Sequence, residues 1–276
     1  MLPGESIPDR NQRLFEISDP VAMVTGSGAD RVGRRIAEHL LAQGFRLVFH
    51  SHQPSADADE FVNGVRKSGR ECMLVWGSVE DEPQVVKWRE QIVHSYQRID
   101  LLVNSAAIWD PKPLEATTAA DFKKYFEVNT LGAALSCKHM GLQMSEQASG
   151  GAIVNIGDWA IRRPYRDFAA YFSSKGALET LTHSMAVELA TRNPRVRVNA
   201  VLPGPVKLAD NISEERRDQI VAECLLQREG TADDVAWAVL FLATSPFVSG
   251  VCLPVDGGRT IYAGPSADPV AHPGSS

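Results

Sequence analysis

Residues 20–49 constrain the fold more than any other stretch. Val21-Ala-Met-Val24 is a short apolar run of strand length, and Thr25-Gly-Ser-Gly-Ala-Asp-Arg-Val-Gly33 follows it directly. A helical pattern then runs from Val32 to Gln43, with Ile36, Ala37, Leu40 and Leu41 recurring on one face. Gly44 closes it, and Phe45-Arg-Leu-Val-Phe49 again reads as a strand. Strand, glycine turn, helix, strand is the first half of a dinucleotide fold. Gly26, Gly28 and Gly33 let a backbone approach a pyrophosphate, and a helix N-terminus at Val32 attracts its charge. The bland alternative is a loop that merely turns the chain. The strand before and the helix after favour nucleotide binding.

The alternation continues along the chain. Helices are predicted near 56–68, 82–97, 118–147, 169–192 and 231–243, and strands at 71–76, 99–103, 152–156, 196–201 and 251–254. In the 118–147 helix, Phe122, Phe126, Leu131 and Leu135 are expected on the apolar side. Repeated βα units predict a single α/β domain, a Rossmann-type doubly wound parallel sheet of about seven strands with helices on both faces. It is expected to span 20–263, after a loosely held arm over 1–19 and before a disordered tail over 264–276. The polar stretch 205–230, with a short helix near 213–226, is expected to be a mobile cover over a substrate site.

A net charge of −6 over 276 residues argues against a nucleic-acid or membrane-surface binder. No apolar run reaches membrane-spanning length. The four cysteines are far apart, which fits free thiols in a reducing, cytoplasmic setting. No His/Cys/Asp grouping has metal-ligand spacing, so no metal is expected. The chemistry concentrates instead between Ile153 and Lys175. Tyr171 and Lys175 are four apart and share a helix face. A nearby ammonium is expected to lower a phenol's pKa from its ordinary value of about 10. Asp158 leaves a strand 171 − 158 = 13 positions earlier, and a loop can return its carboxylate to the phenol. A second reading makes Asp158 a helix cap or a surface carboxylate.

Taken in order, Thr25-Gly26…Gly33, Asn104-Ser-Ala106-Ala107, Val128-Asn129-Thr-Leu-Gly132, Tyr171-x-x-x-Lys175, Pro203-Gly204 and Val255-Asp256-Gly257-Gly258 resemble the short-chain dehydrogenase/reductase family over roughly 20–262. That family usually has Ser where Asp158 stands, and Gly where Arg31 stands. Both departures resemble the pteridine reductases and dihydromonapterin reductases, which also carry a stacking aromatic where Trp109 stands. The resemblance implies a catalytic set of Asp158, Tyr171, Lys175 and Asn129, with Tyr171 giving the proton, Lys175 holding the nicotinamide ribose, and Asn129 bending the long helix and anchoring a water that links Lys175 to solvent. It implies a cofactor site of Gly26, Gly28, Arg31, Val32, Gly33, His52, Ser55, Ser78, Asn104, Ala106, Tyr171, Lys175, Pro203 and Gly204. Substrate would meet Arg31, Trp109, Asp158 and Tyr171, although Trp109 also reads as a loop aromatic closing a core edge.

No acid precedes Asp57 after the second strand, where a ribose 2′-hydroxyl is usually bound, so NADPH is expected over NADH. The implied reaction is reduction of a pterin-like heterocycle. The alternative is a broader carbonyl or alcohol oxidoreductase acting on ketones or 3-oxoacyl groups. Resemblance also implies a homotetramer built through the helices near 118–147 and 169–192.

Overall fold

The structure, a computed structural model, describes residues 4–208, 212–262 and 264. In chain order its elements are α1 (Ile7–Phe15), β1 (Val21–Val24), α2 (Val32–Ala42), β2 (Arg46–Ser51), α3 (Ala56–Lys67), β3 (Cys72–Trp76), α4 (Glu82–Tyr96) and β4 (Leu101–Asn104). There follow α5 (Ala119–Tyr125), α6 (Gly132–Ser145), β5 (Gly151–Ile156), α7 (Ala169–Ala190), β6 (Val196–Pro203), α8 (Glu214–Ala222), α9 (Ala232–Thr244) and β7 (Cys252–Val255). The strands form one parallel sheet in the order β3-β2-β1-β4-β5-β6-β7. The order reverses between β1 and β4, so a crevice opens there above the C-terminal strand ends.

Strand periodicity explains why both sheet faces are dry. Ala22, Val24, Leu47, Phe49, Leu101, Val103, Ala152 and Val154 pack with α2 and α9 on one face. Their neighbours Val21, Met23, Val48, Leu102, Ile153 and Val198 pack with α4, α6 and the end of α7 on the other.

Two elements need comment against the sequence reading. Residues 4–19 are not a loose arm. Ser6 caps α1, which buries Arg10, Asn11 and Phe15. Phe15 meets the Phe45 ring edge-on at 5.5 Å, and the Asn11 amide donates to the Gln43 carbonyl at 3.0 Å. The helix predicted over 118–147 is interrupted around Asn129, where the resemblance implies a bend. Between α5 and α6 it widens to a π-helical stretch, Phe126–Leu131. The extra residue carries Asn129 inward, 2 % exposed, while Phe126 and Leu131 stay exposed rather than joining Leu135 in the core. Residues 265–276, the tail expected to be disordered, lie outside the described residues, and so do 209–211 of the predicted cover.

Candidate active site

The crevice is a cleft of about 1190 Å³. The glycine turn and His52 line it, as do Ala106, Trp109, Asp158, Tyr171, Lys175, Pro203 and Gly204. Local bonding explains how its walls are held. The Thr25 hydroxyl accepts from the backbone N–H groups of Ser105 and Ala106, both at 3.0 Å, and so ties the ends of β1 and β4 together. Gly26 adopts φ +70°, and a Cβ there would sit 2.8 Å from the Ala106 Cα. No side chain caps α2, whose first residues Val32 and Gly33 line the cleft. Backbone donors at such a helix start suit a phosphate. The residues present therefore fit a dinucleotide.

The expected acid–base residues converge. The Tyr171 hydroxyl donates to Asp158 Oδ2 at 2.7 Å. Asp158 Oδ1 accepts from the Ala160 N–H at 2.8 Å, so the same carboxylate also caps a short turn, Trp159–Ile161. The carboxylate thus meets the phenol and caps the turn at once. The Lys175 ammonium is buried and donates to the Ile156 carbonyl at 2.8 Å.

The expectation that Lys175 makes Tyr171 acidic is corrected by these contacts. Burial, then the Asp158 charge, pushes the phenol well above its ordinary value. A phenolate beside a carboxylate would put two like charges in contact. Burial also pushes Asp158 up, and it brings Lys175 down to about 8.

Asn129 stands behind this group. Its Oδ1 accepts from the Ile108 N–H at 2.9 Å, and its Nδ2 donates to the Ile108 carbonyl and to the Ser174 hydroxyl at 3.1 and 3.0 Å. These bonds join the π-helical stretch to α7 and to the loop carrying Trp109. The Trp109 ring is 49 % exposed and stacks on Phe168 at 5.5 Å and 16°.

Three residues expected at the cofactor have other partners in this structure. Asn104 is buried behind the strand ends, donating to Asn155 Oδ1 at 2.9 Å. Ser55 caps α3 by accepting from the Ala58 N–H at 3.1 Å. The Ser78 hydroxyl lies 3.4 Å from the His52 ring. None of the three lines the cleft.

Sequence reasoning missed His50. Its Nδ1 accepts from the Gly26 N–H and its Nε2 faces the Gly77 carbonyl, both at 3.0 Å, which sets the proton on Nε2. It thus links the glycine turn to the end of β3, and burial lowers its pKa to about 4. A histidine directly after the apolar run Leu47-Val-Phe49 was the available signal. The aromatic run Tyr165, Phe168 and Phe172 was also missed; it backs Trp109.

A family model described as enoyl-(acyl carrier protein) reductase matches residues 28–260. The chain belongs to the short-chain dehydrogenase/reductase family. Such reductases work with NAD(P), in keeping with the glycine cradle. Among curated relatives, an NADPH-dependent aldehyde reductase-like chloroplastic protein of Arabidopsis thaliana is 33 % identical over 265 residues, spanning 90 % of this chain and 97 % of that one. A 7alpha-hydroxysteroid dehydrogenase of Clostridium sardiniense is 31 % identical over 253 residues, spanning 89 % and 95 %. A solved structure, a candidate short-chain alcohol dehydrogenase of Sinorhizobium meliloti 1021, superposes with a TM-score of 0.82 at 25 % identity, covering 90 % of this chain and 99 % of that one. Asp158 and Trp109 both line this cleft.

Proposed function

We propose that this short-chain reductase uses NADPH to reduce a flat, nitrogen-rich heterocycle of the pterin type, with Tyr171 as proton donor. The observation that carries this reading is the 2.7 Å bond between Tyr171 and Asp158. The bound cofactor supplies hydride. Asp158 keeps lone pairs for the amino and ring N–H donors of such a ring, which a serine hydroxyl serves less well. Its charge keeps Tyr171 protonated and makes it a weak acid. A ring nitrogen is more basic than a ketone oxygen, so it is the better partner for that acid. Trp109, backed by Phe168, offers a stacking face worth roughly 0.5–1.5 kcal/mol beyond area burial. Lys175 and Asn129 hold the wall behind the phenol. Residues 205–230 supply Val206, Lys207, Ile212, Arg216, Ile220 and Glu223 to the mouth, in keeping with a covering role.

A second reading, reduction of aldehydes or ketones, is favoured by the name of the Arabidopsis relative. Cofactor oxidation measured against a pterin panel and a carbonyl panel separates the two, with NADH run beside NADPH. The Asp158→Ser variant should lose pterin turnover and keep or gain ketone turnover. Trp109→Ala should raise KM for pterins. No turnover or binding of any pterin by the wild type removes the first reading.

A further inference from the structure

The outer side of α7 holds a second cluster of chemically distinctive side chains, remote in sequence from one another. Glu179 and His183 are four residues apart on this helix and therefore share one face. Cys252 belongs to the edge strand β7, 69 residues from His183, which is why sequence spacing hid the group. Along β7 the side chains alternate. Leu253 and Val255 join the core cluster beneath α9, so Cys252 faces the opposite side, toward α7. Its Sγ lies 3.9 Å from His183 Nε2, and one ligand atom from each of the three residues falls within 4.8 Å of the others.

We propose that Glu179, His183 and Cys252 form a binding site for a borderline-soft divalent cation, zinc foremost. One thiolate, one imidazole and one carboxylate are the donor types zinc takes, and small rotamer changes bring them to its bond lengths of about 2.0–2.3 Å. Three protein ligands leave a fourth position, and the exposed side of His183 opens it to water. Calcium and magnesium are disfavoured because two of the three donors are not oxygen. Glu179 now pairs with Arg162. That pair is largely at the surface, where such contacts contribute about 0–1 kcal/mol, so the cation displaces it readily. On binding, the Cys252 S–H bond breaks, the sulfur–metal bond forms, and the proton passes to solvent. None of the three residues lines the catalytic cleft. The bound cation would clamp the free edge of the sheet to the helix that carries Tyr171 and Lys175.

The test is a cobalt(II) titration of the tag-free, chelator-stripped full chain, followed by zinc competition. One cobalt per chain should bind, with a thiolate-to-cobalt charge-transfer band and the ligand-field bands of a tetrahedral site. Cys252→Ser should abolish the charge-transfer band and weaken zinc affinity on the order of 100-fold. His183→Gln should weaken affinity and leave the band at saturation. Zinc should raise the melting temperature of the wild type and not that of Cys252→Ser. Absence of the band in the wild type, or equal zinc affinity in the wild type and Cys252→Ser, overturns the proposal.

Discussion

Replacing Lys175 with methionine should make the cofactor-free protein more stable near neutral pH, and the gain should vanish in alkali. Burial lowers this ammonium from 10.5 to about 8. The difference, 10.5 − 8 = 2.5, corresponds to roughly 3 kcal/mol at 1.36 kcal/mol per unit. The folded pKa lies below the unfolded one. Both states are therefore protonated below pH 8, and the whole cost is present there. It is relieved as pH rises from about 8 to 10.5, because the folded state sheds its proton first. Methionine nearly conserves the volume but leaves the Ile156 carbonyl without its donor, at about 1 kcal/mol. The net gain at pH 7 is then about 2 kcal/mol. At an m-value of about 3 kcal/mol/M it moves the urea midpoint up by about 0.7 M. Urea titrations followed by tryptophan fluorescence at pH 7, 8, 9 and 10 measure it, the variant-minus-wild-type difference cancelling other titrating groups. A variant less stable than the wild type at pH 7, or a difference that stays flat across this range, refutes the assignment of Lys175 as a desolvated, strained cation. Turnover should meanwhile collapse, so stability and activity move in opposite directions.

Tyr171→Phe should lower kcat by about 10²–10⁴ while leaving dinucleotide affinity unchanged, read by cofactor fluorescence; equal kcat would remove the phenol from the chemistry. His50→Leu should destabilise the protein by about 1–3 kcal/mol at pH 7.5, because the Gly26 N–H loses its acceptor. The same variant should resist acid better. The folded pKa of His50, about 4, lies below the ordinary 6.5, so its stabilising contribution is whole above pH 6.5 and is lost as pH falls toward 4. Urea midpoints from pH 4 to 7.5 decide, and parallel curves for variant and wild type would count against the buried, neutral ring.

Much of the sheet was legible because each strand is a short apolar run and the fold buries both sheet faces. A run such as Ile99–Val103 has few other uses. The meeting of Asp158 with Tyr171 was legible for a related reason: a strand end, a short loop and a helix start leave few geometries. What stayed hidden depends on tertiary context. The break at Asn129 was legible through the family resemblance alone, since no local pattern marks the π-helical turn that lets Asn129 bond the Ile108 backbone. The direction of the Tyr171 shift was misjudged because spacing placed a cation nearby but could not weigh it against burial and a closer carboxylate. His50 lies just past the predicted strand Phe45–Phe49, and only the fold brings Gly26 and Gly77 to either side of it. Arm residues 7–15 looked too polar to pack, yet Arg10 and Asn11 are buried by bonding to the exposed end of α2.

That docking has a practical consequence for anyone shortening the gene. Cutting back to Pro20, just ahead of β1, would strip Phe15 from Phe45 and take away the Phe15 carbonyl that accepts from Arg98 at 2.5 Å. Arg98 in turn holds the fully buried Asp100, whose Oδ2 accepts from the Val21 N–H at 2.8 Å at the head of the first strand. An N-terminal segment that looks dispensable is thus wired to the root of the nucleotide-binding half, and a trimmed clone should express as a looser, more protease-sensitive product.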